Sequence, residues 1–257
     1  MLFPFDLILT AAPPDTREAA ALTRRVAHLA YRVGPGLSLL RGSIGASMRG
    51  GLMALSDEDC DGQPGDTEAL CHEVLRECSA RNFEGVVADF EQTCAPQLEP
   101  FVERLAPALR QRRLSLYVTP LYAGLAEDAT VIIPTALVSG SLRERLAQAR
   151  EHFGPRLALE LERIARDITL PDAQGQGLRL DRDQLHALAE GRQVFFSREL
   201  CSHYFTYKDR KTQQTHFVLF DDAQSLLKKM SLASGMGIRE GFLLYPDAKG
   251  IWETLNA

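Results

Sequence analysis

Short apolar runs alternate with amphipathic stretches along most of the chain, and the two periodicities divide it into strands and helices. Residues 5–10 read as a strand, followed by a helix that Asp15 or Thr16 caps, with Glu18 in its first turn. Residues 37–40 and 51–55 are the next two strand candidates. A helix over 66–81 leads into the run Phe83-Glu84-Gly85-Val86-Val87-Ala88-Asp89-Phe90-Glu91. Pro96 opens another helix, which runs to about Arg113, and residues 114–120, 130–134 and 156–162 follow as strands with a helix over 141–153 among them.

Strands that are apolar on both faces and separated by amphipathic helices predict a parallel sheet covered by helices. With the last strand at 241–245 the strand count favours closure, so the expected fold is α/β: a (β/α)8 TIM barrel. The rhythm breaks between strands seven and eight. Two aromatic runs with polar alternation, 203–207 and 215–220, flank Lys208-Asp209-Arg210-Lys211-Thr212-Gln213-Gln214, a hairpin signature. The expected organisation is a single barrel domain over 1–257 with an inserted hairpin region at 194–222.

Composition narrows the functional classes. The chain has 257 residues, 45% hydrophobic and 25% charged, enough for a sizeable core. A net charge of −5 argues against a nucleic-acid partner. No stretch approaches the roughly 18 apolar residues of a membrane span, so no membrane association is expected. The N-terminus lacks a basic segment and Asp6 interrupts its apolar run, which makes the cytoplasm the expected location, or an extracellular or spore-associated one if a leader has been trimmed. Five scattered cysteines, Cys60, Cys71, Cys78, Cys94 and Cys201, suit free thiols in a reducing compartment.

The candidate chemistry lies in two carboxylate pairs. Side chains alternate along a strand, so Asp89 and Glu91 point into one space. Crowding two anions raises at least one pKa, an arrangement found where acid and base chemistry uses it. Glu160 and Glu162 also share a face, opposite Leu157, Leu159 and Leu161; pairing with a basic neighbour such as Arg41 or Arg163 is the favoured role for them. His28, His72, His152 and His186 lack metal-ligand spacing, so neither a metal nor another cofactor is expected. The loop over 41–50 lacks the order of a phosphate cradle, and Gly42-Ser43-Ile44-Gly45 lacks nucleophile-elbow spacing; it reads as a connector.

Together, the 83–91 run, the hairpin, Phe217-Val218-Leu219-Phe220-Asp221-Asp222-Ala223-Gln224-Ser225-Leu226-Leu227-Lys228-Lys229 and Gly235-Met236-Gly237-Ile238-Arg239-Glu240-Gly241-Phe242 resemble family 18 glycoside hydrolases, in particular the chitinase-like and spore-cortex-lytic branch. The resemblance spans roughly 83–247. It implies a glycosidase acting on β-1,4-linked N-acetylhexosamine glycans of chitin or peptidoglycan type, through a substrate-assisted retaining mechanism. Glu91 then matches the general acid, and Asp89 the carboxylate that orients the substrate's 2-acetamido group. Departures from the family pattern are Glu84 and Val87 at two acidic positions, Ile132-Ile133-Pro134-Thr135-Ala136 where a Tyr-Asp pair is usual, and Tyr245 where a tryptophan floors the sugar pocket. Tyr117 and Tyr122 are the candidates to replace the missing phenol, and Glu162 and Tyr245 complete the expected substrate-binding set. These departures keep open a catalytically inactive carbohydrate-binding or scaffolding protein.

Overall fold

A computed structural model of the chain describes residues 5–43, 45, 48–91, 95–171 and 177–256. The four N-terminal residues, Cys94, and Ile44, Ala46 and Ser47 of the 41–50 loop lie outside the described residues.

In chain order the strands are β1 (Asp6–Ala11), β2 (Val26–Val33), β3 (Leu39–Arg41), β4 (Leu52–Ser56), β5 (Gly85–Asp89), β6 (Ser115–Val118), β7 (Thr130–Pro134) and β8 (Leu157–Leu161). An excursion then carries β9 (Ala165–Leu170), β10 (Leu178–Arg179), β11 (Phe195–Ser197), β12 (Ser202–Lys208) and β13 (Thr215–Phe220), before β14 (Glu240–Leu244). Strands β1, β2, β4, β5, β6, β7, β8 and β14 pair in parallel in that order, and β14 returns to β1, closing a barrel of eight. The principal helices are α1 (Thr16–Leu22), α2 (Thr67–Arg81), α3 (Ala95–Gln111), α4 (Leu142–Phe153), α5 (Arg182–Ala189) and α6 (Ala223–Gly235).

Local chemistry sets the helix ends. The Asp66 side chain accepts from the amides of Glu68 and Ala69 at the start of α2, and Asn82, with φ of 55°, ends the helix in the left-handed region that Asn tolerates. Asp222 and Ser225 form a reciprocal capping box on α6. Along the strands, one side-chain set packs outward against the helices, as Met53, Leu55, Val86 and Ala88 do. The alternate set fills the barrel: Ile8, Ala27, Ala54, Val87, Ile132 and Ala158 belong to it, with Tyr117 and Phe242 as its large members. Two apolar faces per strand explain why the runs show no polar alternation.

Two expectations need correction. The second barrel strand is β2, not residues 37–40; part of that stretch forms β3, an antiparallel edge on β2. His28 and Tyr31 disguise β2 in sequence, but each has a polar atom met from a neighbouring element, His28 Nε2 lying 3.1 Å from the Gly50 carbonyl and the Tyr31 hydroxyl donating to Glu77 at 3.2 Å. The segment between β8 and β14 exceeds one hairpin. It forms a five-stranded antiparallel sheet in the order β10-β9-β13-β12-β11, and the expected 194–222 region covers only β11 to β13. Strand β9 reads Ala-Arg-Asp-Ile-Thr-Leu, whose charges hide it as a continuation of the loop after β8.

The excursion leaves and re-enters the barrel at one point. The Asp221 amide donates to the Ile164 carbonyl at 2.8 Å. The Asp221 carboxylate accepts from Lys229 Nζ at 2.6 Å and from the Ser202 hydroxyl at 2.8 Å, tying β12 and α6 to the end of β13.

Candidate active site

Counting one pleat beyond the inner layer locates the site. Two residues after the inward-facing Ile8, Val87, Tyr117, Ile132, Ala158 and Phe242 come Thr10, Asp89, Thr119, Pro134, Glu160 and Leu244. All six of these line one cavity of about 270 Å³, with the inner-layer side chains as its floor. The cavity therefore sits at the C-terminal mouth of the barrel, the end at which folds of this kind gather their functional groups. Its volume falls near the low end of the roughly 300–1,000 Å³ usual for ligand pockets.

Among the described residues, four carboxylates line this mouth. Asp89 ends β5, and Glu91 follows two residues later with an exposed side chain at the cavity edge. Glu160 arrives on β8, with Glu162 two residues beyond it. Burial pushes the Asp89 carboxyl up to about 6, helped by the nearby charges of Glu91, Asp57 and Glu58. Burial also lifts Glu160 to about 7, with Asp89, Glu91 and Glu162 adding to the effect. The Glu160 side chain opens onto the cavity, so water reaches it from one side while protein atoms surround it on the others. Both carboxyls thus keep their protons to higher pH than exposed ones do, Glu160 further than Asp89, in a cavity whose lining includes the cation Arg179 of β10.

Asp57 joins this group from the strand next door. It is buried just after β4, where Ser56 is in register with Asp89, and its Oδ1 accepts the Glu91 amide at 3.2 Å. That bond fixes the chain at the point where β5 delivers Glu91. Asp57 is not legible in the sequence because its partner lies 34 positions away, just past the end of a neighbouring strand.

The structure brings Asp89, Glu91 and Glu162 together and leaves the three tyrosines elsewhere. Tyr117 stands inside the barrel with its ring edge on Phe242, and its hydroxyl turns toward the N-terminal end, donating to Glu240 at 3.0 Å beside Arg25. Tyr122 is fully buried under the strand-to-helix connection, packed edge-on against Phe90 at 5.6 Å. The Tyr245 hydroxyl donates to Glu18 of α1 at 2.5 Å, outside the barrel wall. None of the three lines the cavity, whose aromatic member among the described residues is Phe242. Parity explains Tyr245: Leu244 is the inward residue of that strand, so its successor faces out.

The basic partners expected for Glu160 and Glu162 are also engaged elsewhere. Arg41 pairs with Glu73 and Glu77, and Arg163 donates to the Asp221 carbonyl, whereas Glu162 has Arg166 at 4.0 Å. Glu160 therefore faces the cavity rather than an arginine. Among the described residues no cluster of His, Cys, Asp and Glu has the arrangement to hold a metal ion.

The backbone of this chain follows that of a chitinase from Chromobacterium violaceum with a TM-score of 0.73 at 16% identity, over 98% of each chain. The chain shares its fold. The Bacillus megaterium spore cortex-lytic enzyme SleL gives 0.68 at 16% identity, over 94% of this chain and 70% of that one. A mutant class V chitinase from Nicotiana tobaccum, crystallised in complex with NAG4, gives 0.72 at 10% identity over 98% of each chain. By sequence, no protein-family model and no curated protein matches the chain.

Proposed function

We propose that this protein is a glycosidase cleaving β-1,4-linked N-acetylhexosamine glycans, with Glu91 as the general acid and Asp89 as the residue that orients the 2-acetamido group. The observation that carries the reading is the shared position of Asp89 and Glu91 at an open cavity in the barrel mouth. The likeness in fold to chitinases and to SleL, and the capture of NAG4 by one such chitinase, support the substrate class. In this reading Glu91 gives its proton to the glycosidic oxygen as the bond to the anomeric carbon breaks. The acetamido oxygen forms the replacing bond from within the substrate, while Asp89 takes the hydrogen bond of the acetamido N–H. Water then attacks the anomeric carbon as the bond to the acetamido oxygen breaks, giving its proton to Glu91, so the configuration is retained after two inversions.

Turnover of a fluorogenic N-acetylchitooligosaccharide by wild type and by Glu91→Gln tests the assignment. Loss of activity of about 10²-fold or more in the variant is expected for removal of a general acid. Activity that survives the substitution excludes Glu91 as the acid. A second reading, an inactive carbohydrate-binding protein, is favoured by Val87 and Pro134, which put apolar side chains where the resembling family carries polar ones. Binding of the same oligosaccharide without turnover by wild type selects it.

A further inference from the structure

Glu160 has no part in the mechanism above, yet it occupies the inward mouth position of β8. Strand pairing sets it level with Pro134 of β7. Proline offers no side-chain donor, and the wall from β6 to β14 is otherwise poor in them. The Thr119 hydroxyl is committed to the Phe90 carbonyl at 3.0 Å, and Phe242 and Leu244 are apolar. Glu162 stands beside Arg166, and Arg179 reaches the lining from β10, outside the ring of strands. Among the described residues on the wall from β6 to β14, Glu160 is thus the polar group on a barrel strand that is free to address a ligand.

We propose that Glu160 is a substrate-holding residue: as a neutral carboxylic acid it donates a hydrogen bond to the carbonyl oxygen of the substrate's N-acetyl group, from the wall across the cavity from Asp89 and Glu91. The inference rests on the function proposed above and extends it to a residue that the family resemblance does not name. A carboxylate in this position would repel the acetamido oxygen, whereas the acid form holds and polarises it. The charged groups around it are Asp89 and Glu91 from β5 and its continuation, Glu162 on its own chain segment with Arg166 beyond it, and Arg179; Asp57 and Glu58 act on Asp89 from the end of β4. From β7 and β14 it meets only uncharged residues, Pro134 and Phe242. Burial against the barrel wall, with the surrounding anions adding to it, keeps the proton on Glu160 up to about neutral pH. As pH rises through about 7 the donor is lost.

The test compares wild type, Glu160→Gln and Glu160→Ala with a fluorogenic N-acetylchitooligosaccharide across pH 5–9. Glutamine keeps a donor that does not titrate. Glu160→Gln is therefore expected to stay within about tenfold of wild-type kcat/KM at pH 6 and to shift the decline that wild type shows with rising pH. Glu160→Ala should fall by roughly 10²-fold, the usual effect of removing one preorganised donor. Equal loss in both variants, an undiminished Glu160→Ala, or a pH limb left unmoved in Glu160→Gln overturns the proposal, and none of these touches the role of Glu91. If wild type shows no turnover, calorimetric titration with the N-acetylglucosamine tetramer in buffers of different ionisation enthalpy decides. Proton uptake on binding at pH 7.5 that vanishes in Glu160→Gln supports the donor role without catalysis; binding with no uptake, or no binding, overturns it.

Discussion

Lys229 Nζ lies 2.6 Å from Asp221 Oδ2, and both side chains are wholly removed from solvent. The pair is completed by the Ser202 hydroxyl on the second carboxylate oxygen. A buried charge tolerates this environment only while its partner is present, because desolvation of a lone ion costs more than the fold can offset. Lys229→Met is expected to destabilise the protein by about 3–5 kcal/mol in urea denaturation. Adding Asp221→Asn to that variant should recover part of the loss, since it removes the stranded anion; a double variant less stable than the single one refutes the pairing argument.

The raised carboxyls make stability depend on pH in a defined direction. Asp89 and Glu160 hold their protons more tightly in the folded protein than when exposed, at about 6 and about 7. Between their ordinary values near 4 and these raised ones, the folded state binds more protons than the unfolded state, so stability falls as pH rises through that window. Asp89→Asn and Glu160→Gln should each raise Tm at pH 8 and leave it nearly unchanged at pH 4, measured by differential scanning calorimetry. An equal shift at both pH values would show that packing, not charge, is responsible.

Tyr117 supplies a negative control for the mouth. Its hydroxyl belongs to the opposite end of the barrel with Glu240 and Arg25, so Tyr117→Phe should cost about 1 kcal/mol of stability and leave turnover and oligosaccharide binding unchanged. A change in KM would contradict the direction of its side chain.

Gly51 opens β4 with a φ of +65°, and a Cβ there would lie 2.2 Å from the Val26 carbonyl oxygen. The left-handed backbone alone costs a non-glycine residue roughly 1–2 kcal/mol, and the contact with β2 adds to it. Gly51→Ala should therefore lose at least about 2 kcal/mol, read by chemical denaturation.

What the sequence revealed and what it hid divide along the same physical line. The barrel strands whose side chains are apolar on both faces, such as β5 and β7, announce themselves as uninterrupted runs, and Asp66 and Asp222 mark their helices through a local capping pattern. Asp89 and Glu91 are legible because a strand's alternation operates over two residues. Strand β2 is not, since the partners of His28 Nε2 and the Tyr31 hydroxyl, Gly50 and Glu77, are distant in the chain. The tyrosines fail for a related reason. Their ring chemistry suggested sugar contact, but orientation is set by strand parity and by partners such as Glu240 and Glu18. The shared face of Glu160 and Glu162 is legible from strand parity, whereas the engagement of Arg41 and Arg163 elsewhere emerges only from the fold.

The joint between Ile164 and Asp221 has a consequence for how this architecture can be altered. Where a side excursion begins and ends on hydrogen-bonded neighbours, a change in its outlying strands has a short path to bypass the eight staves beneath. The edge of the β9–β13 sheet that carries Arg179, away from Ser202 and its bond to Asp221, is in this sense the exchangeable part. Lengthening, shortening or swapping it would retailor the rim around Arg179 while Asp89, Glu91 and Glu160, which are rooted in the staves and their immediate continuations, keep their stations.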